Sequence, residues 1–145
     1  MLHVPYKGGA LAVADVVGGR VDTMVVSIST ALPHIRSGKL RAIATTGRVR
    51  SAFLPDVPTV AESGLPRYTA EYWGGILAPA RTPPDVIARI ATAVAEAVRL
   101  PDVRQRLSGA GMEPVATTPA AFGELIAEET RRWTAVISTA GIRAE

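Results

Sequence analysis

An α/β fold is the class this sequence predicts, on three observations. Short apolar runs alternate with stretches of helical periodicity in the first third of the chain. Small or hydroxylated residues stand where each run ends and a helix begins, and the connections are only a few residues long. Transitions of this kind are where open α/β sheets bind their ligands.

The first element is a strand over Leu2–Tyr6, ended by Lys7, Gly8 and Gly9. Leu11, Val13, Val16 and Val17 follow at helical spacing until Gly18 and Gly19 stop the helix. Because Gly8 and Gly9 lack a Cβ, a ligand can approach the backbone and the unpaired N–H groups of the first turn. Those donors and the positive end of the helix dipole attract an anion. The design then repeats. Val21–Ser27 reads as a buried strand, Ser29 or Thr30 caps the next helix, and Gly38 closes it. Pro33 is expected in that helix's first turn, where its missing N–H leaves no bond unmade. Leu40–Thr46 is a third strand, which completes strand-helix-strand-helix-strand.

The proline-rich stretch from Ser51 to Pro66 marks a crossing between substructures. Within it, Thr59 and Glu62 have capping-box spacing, and Gly64 is expected to end a short helix. Tyr68–Pro79 reads as a long strand bent at Gly74 and Gly75. A helix begins at Thr82-Pro-Pro-Asp85, with Thr82 as the hydroxyl cap and Ile87, Ile90, Val94 and Val98 as its buried stripe. Leu100-Pro101-Asp102 breaks it, and Val103 and Leu107 carry a second short helix to Gly109 and Gly111. Glu113–Ala116 is a brief strand. The last helix starts at Thr118-Pro119 and is expected to bury Phe122, Leu125, Ile126, Trp133, Val136, Ile137 and Ala140. Glu128 stands four residues before Arg132 as a surface pair, and Gly141 ends the helix.

At 145 residues with 48% hydrophobic and 20% charged side chains, the chain has the composition of one globular domain with a core. It has no cysteine, hence neither a disulfide framework nor a thiolate site. No apolar run reaches bilayer-spanning length, and MLHVPYKGG lacks the basic-apolar-small order of a signal peptide, so the chain as written is expected to stay where it is made. The net charge of +3 invites a nucleic-acid reading. Yet the basic residues are scattered, and Arg36, Lys39, Arg41, Arg48 and Arg50 have no aromatic platform among them, so no nucleic-acid partner is expected. His3 and His34 have no second ligand at a metal spacing, no serine stands in a nucleophile elbow, and no phosphate-cradling motif is present. Neither a metal, a cofactor nor enzymatic catalysis is expected.

Several motifs stand together in one order: HVPYKGGA, VVGGRVD, TALPHIRSGKLRAIATT, LPDVPTVAESGLPRY, WGGILAPARTPPDVIARI, PDVRQRLSGAGMEPV and WTAVISTAGI. In these the chain resembles, over nearly its whole length, the C-terminal half of the tripartite tricarboxylate transporter substrate-binding family, the Bug-type receptors. The resemblance implies part of a two-lobed periplasmic-binding-protein type II fold, incomplete in this chain. It also implies a periplasmic location, a small carboxylate ligand and membrane permease subunits as partners. Residues 1–47 correspond to the later part of lobe two, 48–67 to a crossover and 68–145 to the returning part of lobe one. Where many relatives carry an acid or amide, this chain has Val26 and Ser27. Strands divided between two incomplete sheets leave exposed edges, so a missing segment, a homodimer or a swapped partner is expected to complete them.

The candidate ligand-binding residues are Tyr6, Lys7, Gly8, Gly9, Ser27, Ser29 and Thr30. Backbone N–H groups and hydroxyls suit a carboxylate because fixed dipoles satisfy it without a buried counter-charge. Lys7 can neutralise an anion at the loop mouth or simply be solvated. Tyr6 can offer its hydroxyl or pack, and Trp73 can line a cleft or the core. A di- or tricarboxylate or an aromatic acid is the expected ligand class. The alternatives are an effector-sensing domain and a ligand-free remnant that self-associates.

Overall fold

The computed structural model describes residues 2–142; Met1, which opens the first expected segment, and residues 143–145, which close the third, lie outside the described residues. The chain forms two compact units, Met1–Ile76 with Arg106–Glu113, and Leu77–Gln105 with Pro114–Glu145.

The first unit is built on α1 (Gly9–Val17) and α2 (Ile28–Arg36), which pack against each other. Helix α1 follows the glycine pair as expected. It ends at Gly18, whose N–H donates to the Ala14 carbonyl at 2.9 Å, while Gly19 takes a left-handed φ of 70°. Helix α2 begins earlier than its hydroxyl pattern suggested. Ser27, with extended backbone at φ −61° and ψ 144°, is the N-cap in place of Ser29 or Thr30. Pro33 therefore falls past the first turn, inside the helix, and forfeits the bond its N–H would make to the Ser29 carbonyl. The helix ends soon after, at Arg36, and Gly38 turns the chain at φ 72°.

Val13 of α1 and Ala31 and Leu32 of α2 are the buried apolar residues among those described, with Leu32 only 2% exposed. Thr45 and Thr59 are buried as well, and a parallel bridge joins the two. The Thr45 N–H donates to the Pro58 carbonyl at 2.9 Å and the Val60 N–H to the Thr45 carbonyl at 2.8 Å. The capping box forms reciprocally: the Glu62 N–H donates to Thr59 Oγ1 at 3.1 Å, and the Thr59 N–H to Glu62 Oε2 at 2.7 Å. That backbone bond and then Arg50 hold the Glu62 carboxyl below its usual range. The chain after it stays a series of turns instead of the expected short helix, because Gly64 at φ 113° redirects it before a second turn closes.

The five expected strands, Leu2–Tyr6, Val21–Ser27, Leu40–Thr46, Tyr68–Pro79 and Glu113–Ala116, form no ladder among the described residues. A strand exists only when a neighbour offers N–H and C=O groups in register. Here only the end of the third run and the start of the fourth find any, at the Thr45–Thr59 bridge and where the Ala70 N–H donates to the Thr46 carbonyl at 2.8 Å.

The second unit holds α3 (Pro84–Ala97), which packs against α5 (Pro119–Ala140), and the start of α4 (Pro101–Gly109), whose residues from Arg106 belong to the first unit. Pro83 caps α3 in place of Thr82, with Pro84 as the first helical residue. Thr118 caps α5 as expected, its Oγ1 accepting the Ala121 N–H at 3.2 Å, and Gly141 closes it at φ 65°. No residue of α3 or α5 is fully buried, contrary to the stripes expected from periodicity. Ile90 is 40% exposed, Trp133 37% and Val136 and Ile137 each 45%. Two helices laid on each other cover only a narrow seam apiece, and their wider apolar stripes stay in solvent. Arg132 pairs with Glu129 at 3.4 Å, and Glu129 also accepts the Trp133 indole N–H at 2.8 Å. Among the described residues, no helix is long and apolar enough to cross a membrane.

Candidate functional site

Both helix starts of the first unit come together. A Cβ on Gly9 would stand 2.9 Å from Val26 Cγ2 and 3.8 Å from Thr30 Cγ2, so only glycine lets α1 begin this close to the entry of α2. Its neighbour Gly8 caps α1 at φ 126° and ψ 155°, a region essentially reserved to glycine, with open space where a side chain would be. No side chain caps α1, so its first-turn N–H groups are left to other acceptors.

Beside them, Ser27, Ser29 and Thr30 form a connected hydroxyl cluster. Ser29 Oγ donates to Ser27 Oγ at 3.1 Å, and Ser27 Oγ and Thr30 Oγ1 share a bond of 2.9 Å. None of the three is spent on the helix cap, since Ser27 makes no side-chain cap bond. Three hydroxyl protons serve two bonds inside the cluster, so one O–H remains to point outward. The arrangement presents donors and no fixed negative charge, which is the chemistry that holds a carboxylate.

Tyr6 does not offer its hydroxyl to this cluster. It donates to Asp15 Oδ2 at 2.7 Å, and Arg20 pairs with Asp15 Oδ1. The Tyr6 bond and then the Arg20 guanidinium hold Asp15 below the usual carboxylate range, and the same Asp15 bond raises the Tyr6 phenol. Tyr6 thus ties the first run to α1. Lys7 is exposed and makes no ion pair among the described residues. Trp73 belongs to the first unit and is 38% exposed.

The signs of the two shifts define a pH window for that tie. The Asp15 contribution is complete above the ordinary aspartate pKa and disappears as pH falls through the lowered one; the Tyr6 contribution is complete below the ordinary tyrosine pKa and disappears as pH rises through the raised one. Asp15→Asn is expected to flatten the acid limb of a melting-temperature profile. An acid limb identical to that of the parent chain would show that the contact contributes nothing.

Two residues at the site escaped the sequence reading. Neither Asp15 nor Gly111 was among the candidate residues. Gly111, at φ 73°, lies against the start of α2: a Cβ there would be 3.1 Å from Ser29 Cα and 3.2 Å from Ser29 N. Its positive φ was readable as a glycine turn, but its partner eighty residues earlier was not. Among the described residues, no group of three His, Asp or Glu side chains is placed to hold a metal ion. A 390 Å³ depression on α5, lined by Ala135, Val136, Thr139 and Ala140, has no charged group and is too open to hold an anion.

Residues 1–142 match the family model for the tripartite tricarboxylate transporter family receptor. The chain belongs to this receptor family. Protein BugT of Bordetella pertussis is 37% identical over 140 residues, which are 97% of this chain and 43% of BugT. A solved structure titled R. palustris Rpa4515 with adipate is 32% identical at a TM-score of 0.86, over 96% of this chain and 46% of that one. A second, MatC (Rpa3494) from Rhodopseudomonas palustris with bound malate, is 36% identical at a TM-score of 0.81, over 92% of this chain and 47% of that one. This receptor-family chain spans about half the length of each of these three proteins, and its fold is part of the α/β periplasmic-binding-protein fold. Its missing ladders fit that proportion, since a strand whose neighbours lie elsewhere cannot pair.

Proposed function

We propose that this chain is the part of a solute-binding receptor that contributes a carboxylate-binding helix pair, and that the receptor serves a tripartite tricarboxylate transporter. The observation that carries the reading is the juxtaposition of the Gly8–Gly9 start of α1 with the Ser27, Ser29 and Thr30 hydroxyls at the start of α2. Two helix N-termini and a spare hydroxyl proton lie close together, an environment suited to one carboxylate group. Family membership supports the reading, as do the adipate and malate of the solved relatives. The ligand class is a small di- or tricarboxylate or an aromatic acid. Its handling is reversible binding, with no bond made or broken, and its onward partners are membrane permease subunits reached from the periplasm. Lys7, exposed at the loop, adds long-range attraction for the anion without needing to touch it.

The test is titration calorimetry with malate, adipate and citrate, on the parent chain and on Ser27→Ala, Thr30→Val and Lys7→Ala. A hydrogen bond to a charged group is worth about 1.5–3 kcal/mol, so each hydroxyl loss is expected to weaken binding roughly tenfold or more. Lys7→Ala is expected to weaken it less, and by an amount that shrinks with added salt. Affinity unchanged in both hydroxyl variants would remove the cluster from the site.

A further inference from the structure

Asp15 stands where a helix gains nothing from an acid. It is the only charged residue of α1 and lies in the last turn of that helix, toward the negative end of its dipole. Aspartate also ranks low in helix propensity, so neither preference of α1 accounts for it. Its contacts do. Oδ2 accepts the Tyr6 hydroxyl at 2.7 Å, Oδ1 pairs with Arg20, and the Asp15 carbonyl accepts the Arg20 N–H at 2.8 Å. Tyr6 precedes α1 and Arg20 follows it, so one residue holds both the chain that enters the helix and the chain that leaves it. These partners outweigh the dipole, because the carboxyl lies below its usual range in spite of it.

On the entering side, only Lys7 and Gly8 separate Tyr6 from the first residue of α1. Lys7 is exposed, no side chain caps the helix, and a Cβ on Gly8 would meet nothing. Glycine has the most backbone freedom to lose, so the φ of 126° and ψ of 155° at Gly8 need an anchor from outside. We propose that Tyr6 and Asp15 are positioning residues whose hydrogen bond fixes the Lys7–Gly8 arc and keeps the N–H groups at the start of α1 aimed at one carboxylate. The inference rests on the carboxylate reading and gives Tyr6 a role other than contact with the ligand. An arc tied at both ends to one helix is ordered when the chain folds, so the arriving anion has less to order. Arg20 assists electrostatically. By pairing with Asp15 it keeps the one acid of α1 from repelling the anion.

The test compares the full chain with Tyr6→Phe, Asp15→Ala, Asp15→Asn and the double variant Tyr6→Phe, Asp15→Ala, each held well below its melting temperature. Malate, adipate and citrate are the probes. Backbone order parameters at Lys7 and Gly8 are expected to fall from about 0.85 to below about 0.6 in Tyr6→Phe, while those of residues 12–16 hold. Affinity for the acid that the parent binds best is expected to drop about threefold to tenfold in Tyr6→Phe and in Asp15→Ala, and no further in the double variant, because both changes remove one bond. Asparagine keeps an acceptor oxygen for the Tyr6 hydroxyl, so Asp15→Asn is expected to recover most of that loss. Unchanged order at Lys7 and Gly8 overturns the proposal whatever the ligand does. Order that falls while affinity holds also overturns it, and if Ser27→Ala still weakens binding the carboxylate reading survives alone. A parent chain that takes up none of the three acids overturns both.

Discussion

Leu32→Ala is expected to cost about 2–5 kcal/mol and to collapse the first unit's order. Leu32 is 2% exposed, and the buried apolar residues described with it are only Val13 and Ala31. Folded domains keep about 5–15 kcal/mol in all, so a unit with this few buried residues has little to spare. The cavity would open beside Gly111, since Leu32 Cδ2 would be 3.3 Å from a Cβ at that position. Urea unfolding followed by circular dichroism, with amide spectra to report on α1 and α2, measures the effect. Ile90→Ala, in α3 at 40% exposure, is the comparison and is expected to cost about 1 kcal/mol or less. Equal losses at the two positions would mean that the α1–α2 contact is not where the stability resides.

Gly111→Ala is expected to cost about 2–5 kcal/mol and to abolish carboxylate binding even where the fold survives. Two effects add. An alanine at φ 73° pays about 1–2 kcal/mol for left-handed backbone. Its methyl would also press on Ser29 Cα at 3.1 Å and Ser29 N at 3.2 Å, and overpacking against atoms that cannot rotate away adds about 1–3 kcal/mol. The displaced element is the start of α2, which carries the hydroxyl cluster. Gly109→Ala separates the causes, because a Cβ there meets nothing within 4 Å and its φ is not positive. It is expected to leave stability and binding within measurement of the parent. Thermal shift with malate, beside urea unfolding, reads both quantities. A Gly111→Ala chain as stable as the parent would mean that the 106–113 segment does not press on α2.

Much of the helical framework was legible because helix signals are local. Gly18, Thr118 and Gly141 end or cap helices where the sequence placed those events, and the Thr59–Glu62 box forms both its bonds. The candidate site was legible in kind: glycines and hydroxyls at two helix starts were singled out, and the structure sets Gly9 beside Thr30 and joins Ser27, Ser29 and Thr30. Roles within it were less so. Ser27 was read as the end of a strand and proved to be the cap, because which of three neighbouring hydroxylated residues starts a helix depends on backbone angles set by what packs around it. Tyr6 was left open between offering its hydroxyl and packing, and the hydroxyl is bonded to Asp15, nine residues on in α1.

By itself, then, the sequence determined where the chain turns helical, where it stops, and which small and hydroxylated residues stand at those points. All of these depend on interactions within a turn or two, and a short stretch of chain specifies them completely. Tertiary structure alone decided which strand-like runs find partners, which apolar stripes are covered, and that Gly111 rests on Ser29. Such outcomes depend on atoms far away in the chain, or in another polypeptide. A period-two apolar run such as Leu40–Thr46 encodes a surface to be paired and covered, and becomes a strand only when something arrives to do so.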